Sequence, residues 1–200
     1  MALSRIKTMD IHQLGVNFDE RQDRLLLRVN TVDAQEVRLW LTRRISLRLM
    51  GPLQTAIARL EASQASVPVT NAQAKAMLVD LKNEDFLQKA DLKKPYSSEK
   101  KTLPLGPEPL VVTEITIHIQ GTEGAQMVFQ DAGSADTPAR SCTLQMQPPL
   151  VHGMLHLLGN AMAAAQWQTP GDQGATVTAE ALRSDDDIAI NPVTKPSYTH

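Results

Sequence analysis

The feature that most constrains this chain is a pair of strictly alternating segments. Leu25, Leu27 and Val29 alternate with Arg24, Leu26, Arg28 and Asn30, and Val37, Leu39 and Leu41 alternate with Glu36, Arg38, Trp40 and Thr42. Alternation with period two is the mark of a strand buried on one face. A slip of one residue would turn a whole strand inside out, so the apolar sets must face each other. Val29 is therefore expected opposite Val37, Leu27 opposite Leu39 and Leu25 opposite Leu41, with an odd-numbered turn centred on Asp33. The same register sets Arg28 against Arg38 and Leu26 against Trp40 on the other face.

A third strand is expected to precede this hairpin, over Ile11 to Phe18, ended by the polar turn Asp19 to Asp23. After Thr42 the period changes to that of a helix, with Ile45, Leu49, Leu53, Ala56, Ile57 and Leu60 on one stripe. Gly51 and Pro52 interrupt it, which predicts a kink or two shorter helices. A further helix is expected from Thr70 or Asn71 to about Lys94, with Ala74, Leu78, Leu81 and Leu87 among its apolar positions. Pro95 to Pro109 holds four prolines and no periodicity and reads as a linker.

The pattern then returns. Ile115, Ile117 and Ile119 alternate, the turn Gly121 to Gly124 follows, Met127 and Phe129 alternate, and a loop from Asp131 to Ser141 leads to Cys142, Leu144 and Met146. Pro148 and Pro149 open an apolar helix through Leu150, Met154, Leu157, Leu158, Ala161 and Ala165. Strand, strand, strand, helix thus occurs twice. The expected fold is α+β, with two β-meander-plus-helix units, antiparallel sheet or sheets, and helices on one face. The divisions are residues 1–94 for the first unit, 95–109 for the linker, 110–168 for the second unit, and 169–200 for an acidic, partly disordered tail that includes Asp185 to Asp187.

The bulk properties narrow the function classes. A formal charge of -2 excludes a broadly basic nucleic-acid binder, so any basic site must be local. A single cysteine, Cys142, forbids an intrachain disulfide. The N-terminus lacks the apolar run of a signal peptide, and no apolar stretch approaches a membrane span, so a cytoplasmic protein is expected.

The local basic site is the outward face of the first hairpin. Between Arg21 and Met50 lie seven arginines (Arg21, Arg24, Arg28, Arg38, Arg43, Arg44, Arg48) against Asp23, Asp33 and Glu36, a net +4. Opposed arginines repel, and an exposed Trp40 beside Leu26 is an apolar patch that something should cover. The candidate interaction surface is therefore Arg24, Leu26, Arg28, Arg38, Trp40, Arg43 and Arg44. Its first expected occupant is a protein partner, a second copy above all, since Trp and Arg are enriched in interfaces. Alternatively the acidic tail around Asp185 folds back onto Arg28 and Arg38. The second expectation is single-stranded nucleic acid, with phosphates on the cations and a base stacked on the ring. The duplicated architecture is similar, in topology, to the Whirly and transcriptional-positive-cofactor types of single-strand binder.

Other constellations carry less. His152 and His156 lie one helical turn apart, as metal ligands would, but no glutamate of the metalloprotease pattern stands between them, and no metal or other cofactor is expected. Cys142 sits on an inward strand face, where a thiol is inert. Gly121 and Gly124 fit a hairpin turn and lack the helix a phosphate loop needs. No paired carboxylates suggest acid and base catalysis, so no enzyme is expected and no catalytic residue is assigned. The segment IHQLGVNFDERQDRLLLRVNT followed by EVRLWLTRR resembles the amino-terminal block of a family of short uncharacterised bacterial proteins, a resemblance that implies no function and covers about the first fifth of the chain.

Overall fold

The structure is a computed structural model that describes residues 9–64, 73, 77, 81, 101–133, 139–167 and 187–190. Strand β1 runs Met9–Asp19, β2 Arg24–Thr31 and β3 Glu36–Thr42, followed by helix α1, Arg43–Gln64. The second unit comprises β4 (Leu110–Val112), β5 (Glu114–Gln120), β6 (Gly124–Asp131), β7 (Arg140–Met146) and helix α2 (Pro148–Ala164). A last strand, β8, spans Asp187–Ile190. The fold is α+β, with two meander-plus-helix units.

The hairpin register is the expected one: Val29 pairs with Val37, Leu27 with Leu39, Leu25 with Leu41, Arg28 with Arg38 and Leu26 with Trp40. The turn is centred on Asp33. Thr31 N–H donates to the Gln35 carbonyl (2.9 Å), and Ala34 takes a φ of 55°, the left-handed residue that a three-residue hairpin loop needs.

Two short parallel ladders join the meanders. Met9 and Asp10, at the start of β1, pair with Leu144 and Gln145 of β7, and β1 then bulges between Ile11 and Gln13 and pairs with β2. In the same way β4 pairs with Leu39, Trp40 and Leu41 of β3, and beyond Thr113 the chain continues as β5 against β6. Thr113 carries this change of partner. Its N–H donates to the Gln130 carbonyl at 2.8 Å, and its Oγ1 accepts from Ala132 N–H at 2.9 Å. The strand order is β4-β3-β2-β1-β7-β6-β5-β8.

The parallel ladders define a pseudo-two-fold correspondence. They match Val37 with Cys142, Leu39 with Leu144 and Leu41 with Met146, and, continuing into the helices, Leu49 with Met154, Leu53 with Leu158, Ala56 with Ala161 and Ile57 with Met162. All fourteen of these residues are buried. Each helix also crosses to the other unit: α1 lies against β5, α2 lies against β1, and the two helices meet. At the far end of α1, Ser63 Oγ donates to the Gly121 carbonyl in the β5–β6 turn (3.0 Å). Beyond α2, Trp167 Nε1 donates to Asp23 Oδ1 in the β1–β2 turn (3.2 Å) and its ring meets Phe18 edge-on, centroids 5.6 Å apart. One continuous core results.

Helix α1 runs as one element through Pro52, so of the two expectations there, a kink or two shorter helices, the second is not met. An interior proline costs about 3 kcal/mol. Leu49 before it and Leu53 after it are fully buried, as are Ala56 and Ile57, and each large aliphatic side chain gains about 1.5–3 kcal/mol on burial, so packing outweighs the break. Thr55 Oγ1 donates to the Gly51 carbonyl at 3.0 Å beside the proline. The helix starts where β3 ends, with Ile45 N–H donating to Thr42 Oγ1 (3.4 Å). Helix α2 instead opens on Pro148 and Pro149, which have no N–H to leave unsatisfied.

The helix expected from Thr70 or Asn71 lies mostly outside the described residues. Gln73, Met77 and Leu81 are helical, and Met77 and Leu81 face outward rather than into the core. Of the stretch from Pro95 to Pro109, residues 101–109 are described. There Thr102 bridges to Gln35 and its carbonyl accepts from Glu36 N–H at 2.8 Å, so this segment already runs beside β3 before β4 begins. Part of the tail is a strand: Asp187–Ile190 pairs antiparallel with Ile115 to His118 of β5. Asp185 lies outside the described residues, and the described part of the tail docks on the second meander, not on Arg28 and Arg38.

Candidate functional site

Outward of the core, β2 and β3 present Arg24, Leu26, Arg28, Arg38 and Trp40 on one face. The parallel ladder adds Val111 directly beside Trp40, giving an apolar row Val111, Trp40, Leu26 across three adjacent strands. Trp40 is half-buried rather than exposed, as are Leu26, Arg28 and Arg38. Alternation along a single strand cannot show this, because the cover on an outward face depends on which strands stand beside it.

The opposed arginines are each held by an acceptor. The Asn17 amide is satisfied in one orientation, with its oxygen accepting from Arg28 Nη2 at 2.7 Å and its nitrogen donating to the Val16 carbonyl at 3.2 Å. Arg38 Nε lies 3.5 Å from Glu36 Oε1, two residues along the same strand; this ion pair lacks hydrogen-bond alignment, so it is a charge contact only. Arg24 stands between Asp19 and Thr42 in the ladder. Arg43 and Arg44 are exposed in the first turn of α1, where no acidic residue offsets them against the positive end of the helix. Of the seven candidate residues, strand pairing brings together Arg24, Leu26, Arg28, Arg38 and Trp40, while Arg43 and Arg44 follow β3 at the start of α1. Asn17, Glu36 and Val111 join the first five as well. Only strand pairing brings Asn17 and Val111 there.

The second meander carries no counterpart. The correspondence that matches the two cores sets Leu26 against Gln126, Arg28 against Val128, Arg38 against Thr143 and Trp40 against Gln145. Gln145 Nε2 donates to Gln120 Oε1 at 2.7 Å on that face. The same strand geometry is thus built with uncharged residues.

The histidine pair diverges. His152 is buried and its Nε2 lies 2.9 Å from Glu61 Oε1 of α1, while His156 is paired with Asn160 Nδ2 at 3.0 Å near the surface. No group of three metal-ligating side chains occurs among the described residues. Burial pushes the Cys142 thiol up to about 12, consistent with an unreactive core residue. No helix among the described residues is long and apolar enough to cross a membrane. Comparison with protein families, with curated proteins and with solved structures returns no match to this chain.

Proposed function

We propose that this is a non-enzymatic intracellular protein whose first hairpin carries a protein-interaction surface, engaged first of all by a second copy of the chain. The observation that supports it is the difference between two matched faces. The same strand positions hold Gln126, Val128, Thr143 and Gln145 in the second meander, so the strand geometry does not by itself require Leu26, Arg28, Arg38 and Trp40 in the first. An apolar centre of Trp40, Leu26 and Val111 rimmed by arginines has the composition of an interface hot spot.

The test grafts the second unit's residues onto the first: Trp40→Gln and Arg38→Thr, with solution mass measured by light scattering. Loss of a buried interface tryptophan typically costs about 2 kcal/mol or more, roughly a thirtyfold weaker dimer. A wild-type dimer that becomes monomeric with unchanged thermal stability is the expected result. A monomeric wild type, or a dimer indifferent to both changes, overturns the reading.

Single-stranded nucleic acid is the second reading, favoured by the exposed Arg43 and Arg44 at the start of α1, next in sequence to β3. It predicts oligonucleotide binding whose log affinity falls with log salt by about 0.7 per phosphate neutralised and which Trp40→Ala removes. The two readings separate cleanly in one experiment, since the mass either doubles without oligonucleotide or shifts only on adding it.

A further inference from the structure

A second copy seated on the hairpin face meets a charge problem that the fold does not solve. Trp40 is paired with Leu26, and the next outward pairs along the two strands are Arg28 with Arg38 on one side and Arg24 with Thr42 on the other. Two residues along a strand is about 7 Å. An interface of ordinary size covers about 800 Å² per partner, a disc of about 16 Å radius, so a contact centred on Trp40 contains all three arginines. Pairing two copies about a two-fold axis then presents each patch to itself. Asp19 stands opposite Arg24, and Glu36 stands beside Arg38. Three cations against two anions leave the sheet face at +1, and Arg43 and Arg44, next in sequence at the start of α1, raise it to +3. Cation therefore faces cation across the dyad, which opposes the apolar contact of Trp40, Leu26 and Val111.

The chain's own acids are poorly placed to supply the missing charge. Its acidic run, Asp185 to Asp187, leads into β8, and Asp187 is paired with His118 of β5, which anchors the run on the second meander. The long stretch 65–100 carries six lysines against five acids, so it brings no net negative charge. The matched row of the second meander, Thr116, Val128 and Thr143, poses no such problem. The first meander has Gly15, Arg28 and Arg38 in those places. Two cations thus replace two uncharged residues, and beside them the threonine becomes a glycine, which has no side chain to lie over the pair.

We infer that self-association through this face is completed by a phosphate oxyanion, held at Arg28 and Arg38 and shared between the two copies. This rests on the reading that a second copy covers the hairpin. Guanidinium forks match phosphate geometry, and a tetrahedral phosphate dianion has four oxygens, enough for a two-oxygen contact from each copy. A guanidinium carries five donors, more than the Arg28 contact to Asn17 or the Arg38 contact to Glu36 takes up. Those two contacts fix the arginines against β1 and along β3, so the ligand meets forks that are already oriented.

The experiment measures the dimer dissociation constant of the full chain by light scattering over a concentration series, in sodium chloride and in inorganic phosphate at equal ionic strength. The pH is held at about 8, where phosphate is largely a dianion. The expected result is a dimer about tenfold or more tighter in phosphate, with the response saturating. Arg38→Thr, the residue of the matched position, should lose the response, and Arg38→Lys, which keeps the charge without the fork, should show less of it than wild type. Equal association in the two media overturns the inference and leaves the second-copy reading standing, whereas a chain monomeric in both sinks that reading and this one with it. An undiminished response in Arg38→Thr would mean that phosphate acts only by exclusion from the protein surface, and overturns the site. A single-stranded oligonucleotide that tightens the dimer where inorganic phosphate does not would make nucleic acid the source and overturn the assignment to a free phosphate.

Discussion

Removing His152 strands the Glu61 carboxylate in the core. Both side chains are only 5% exposed and their polar atoms stand 2.9 Å apart, between α1 of one unit and α2 of the other. Nothing comparable occupies the matched positions: Leu47 stands where His152 does, and Gln166 where Glu61 does. Removing one partner from a buried pair typically costs about 3–5 kcal/mol, while replacing both by apolar residues of similar volume is often neutral or stabilising. His152→Leu leaves the Glu61 carboxylate buried without the ring it pairs with. This variant is expected to lose about 3–5 kcal/mol, Glu61→Leu less, and the double variant less than His152→Leu. Read by urea unfolding with a slope of about 2 kcal/mol/M, a single-variant loss of about 4 kcal/mol moves the midpoint by about 2 M, well outside error. The three variants and the wild type close a double-mutant cycle, with an expected coupling of several kcal/mol. Glu61→Gln should fall between, since an amide still hydrogen-bonds the ring. A coupling below about 1 kcal/mol, or a neutral His152→Leu, refutes the reasoning.

Three further outcomes follow from single residues. Ser46 is fully buried with its Oγ unpartnered, at the position where the second unit has buried Val151; Ser46→Ala should therefore stabilise by about 1–2 kcal/mol and raise Tm by roughly 2–4 °C per kcal/mol in calorimetry. Gly124 has φ 136° and a Cβ there would run into the Met146 carbonyl, so Gly124→Ala should cost about 3 kcal/mol or more, whereas Gly121→Ala, strained in φ but open around the Cβ, should cost about 1 kcal/mol by the same unfolding assay. The Cys142 thiol, raised from 9.0 to about 12 by burial, holds its proton more tightly folded than unfolded; stability is thus unaffected by it below about pH 9 and falls between pH 9 and 12, and alkylation at pH 8 should proceed no faster than global unfolding.

The sequence was legible wherever a local period carried the information. Leu25, Leu27 and Val29 against Val37, Leu39 and Leu41 allow one register, and the structure has it. The stripe from Ile45 to Leu60 was readable too, but the effect of Pro52 was not, because the burial that holds the helix together comes from strands far away in sequence. Pairings that extend only two or three residues, such as Met9 with Leu144 or Leu110 with Leu39, leave no periodic trace, and they determine which units touch. In the tail, Ile188 and Ile190 alternate, yet the acidic run beside them dominated the composition. At the candidate site the arginines and Trp40 were visible, while their setting was not. Asn17 and Val111 reach it from strands whose positions only the assembled sheet defines.

The matched units separate what the fold requires from what it does not. Inward positions are held to apolar residues in both, since truncating any of the large ones costs about 2–5 kcal/mol in a chain whose whole stability is about 5–15 kcal/mol. Outward positions answer to no such term: a surface substitution usually changes stability by less than about 0.5 kcal/mol. Arg28 opposite Arg38 is unfavourable as a bare pair, and the contacts to Asn17 and Glu36 offset a repulsion that Val128 and Thr143 never incur. The opposed arginines are therefore a cost that the second meander's outward residues do not carry. That asymmetry falls on β2 and β3 of the first meander, the face on which the proposed interaction rests.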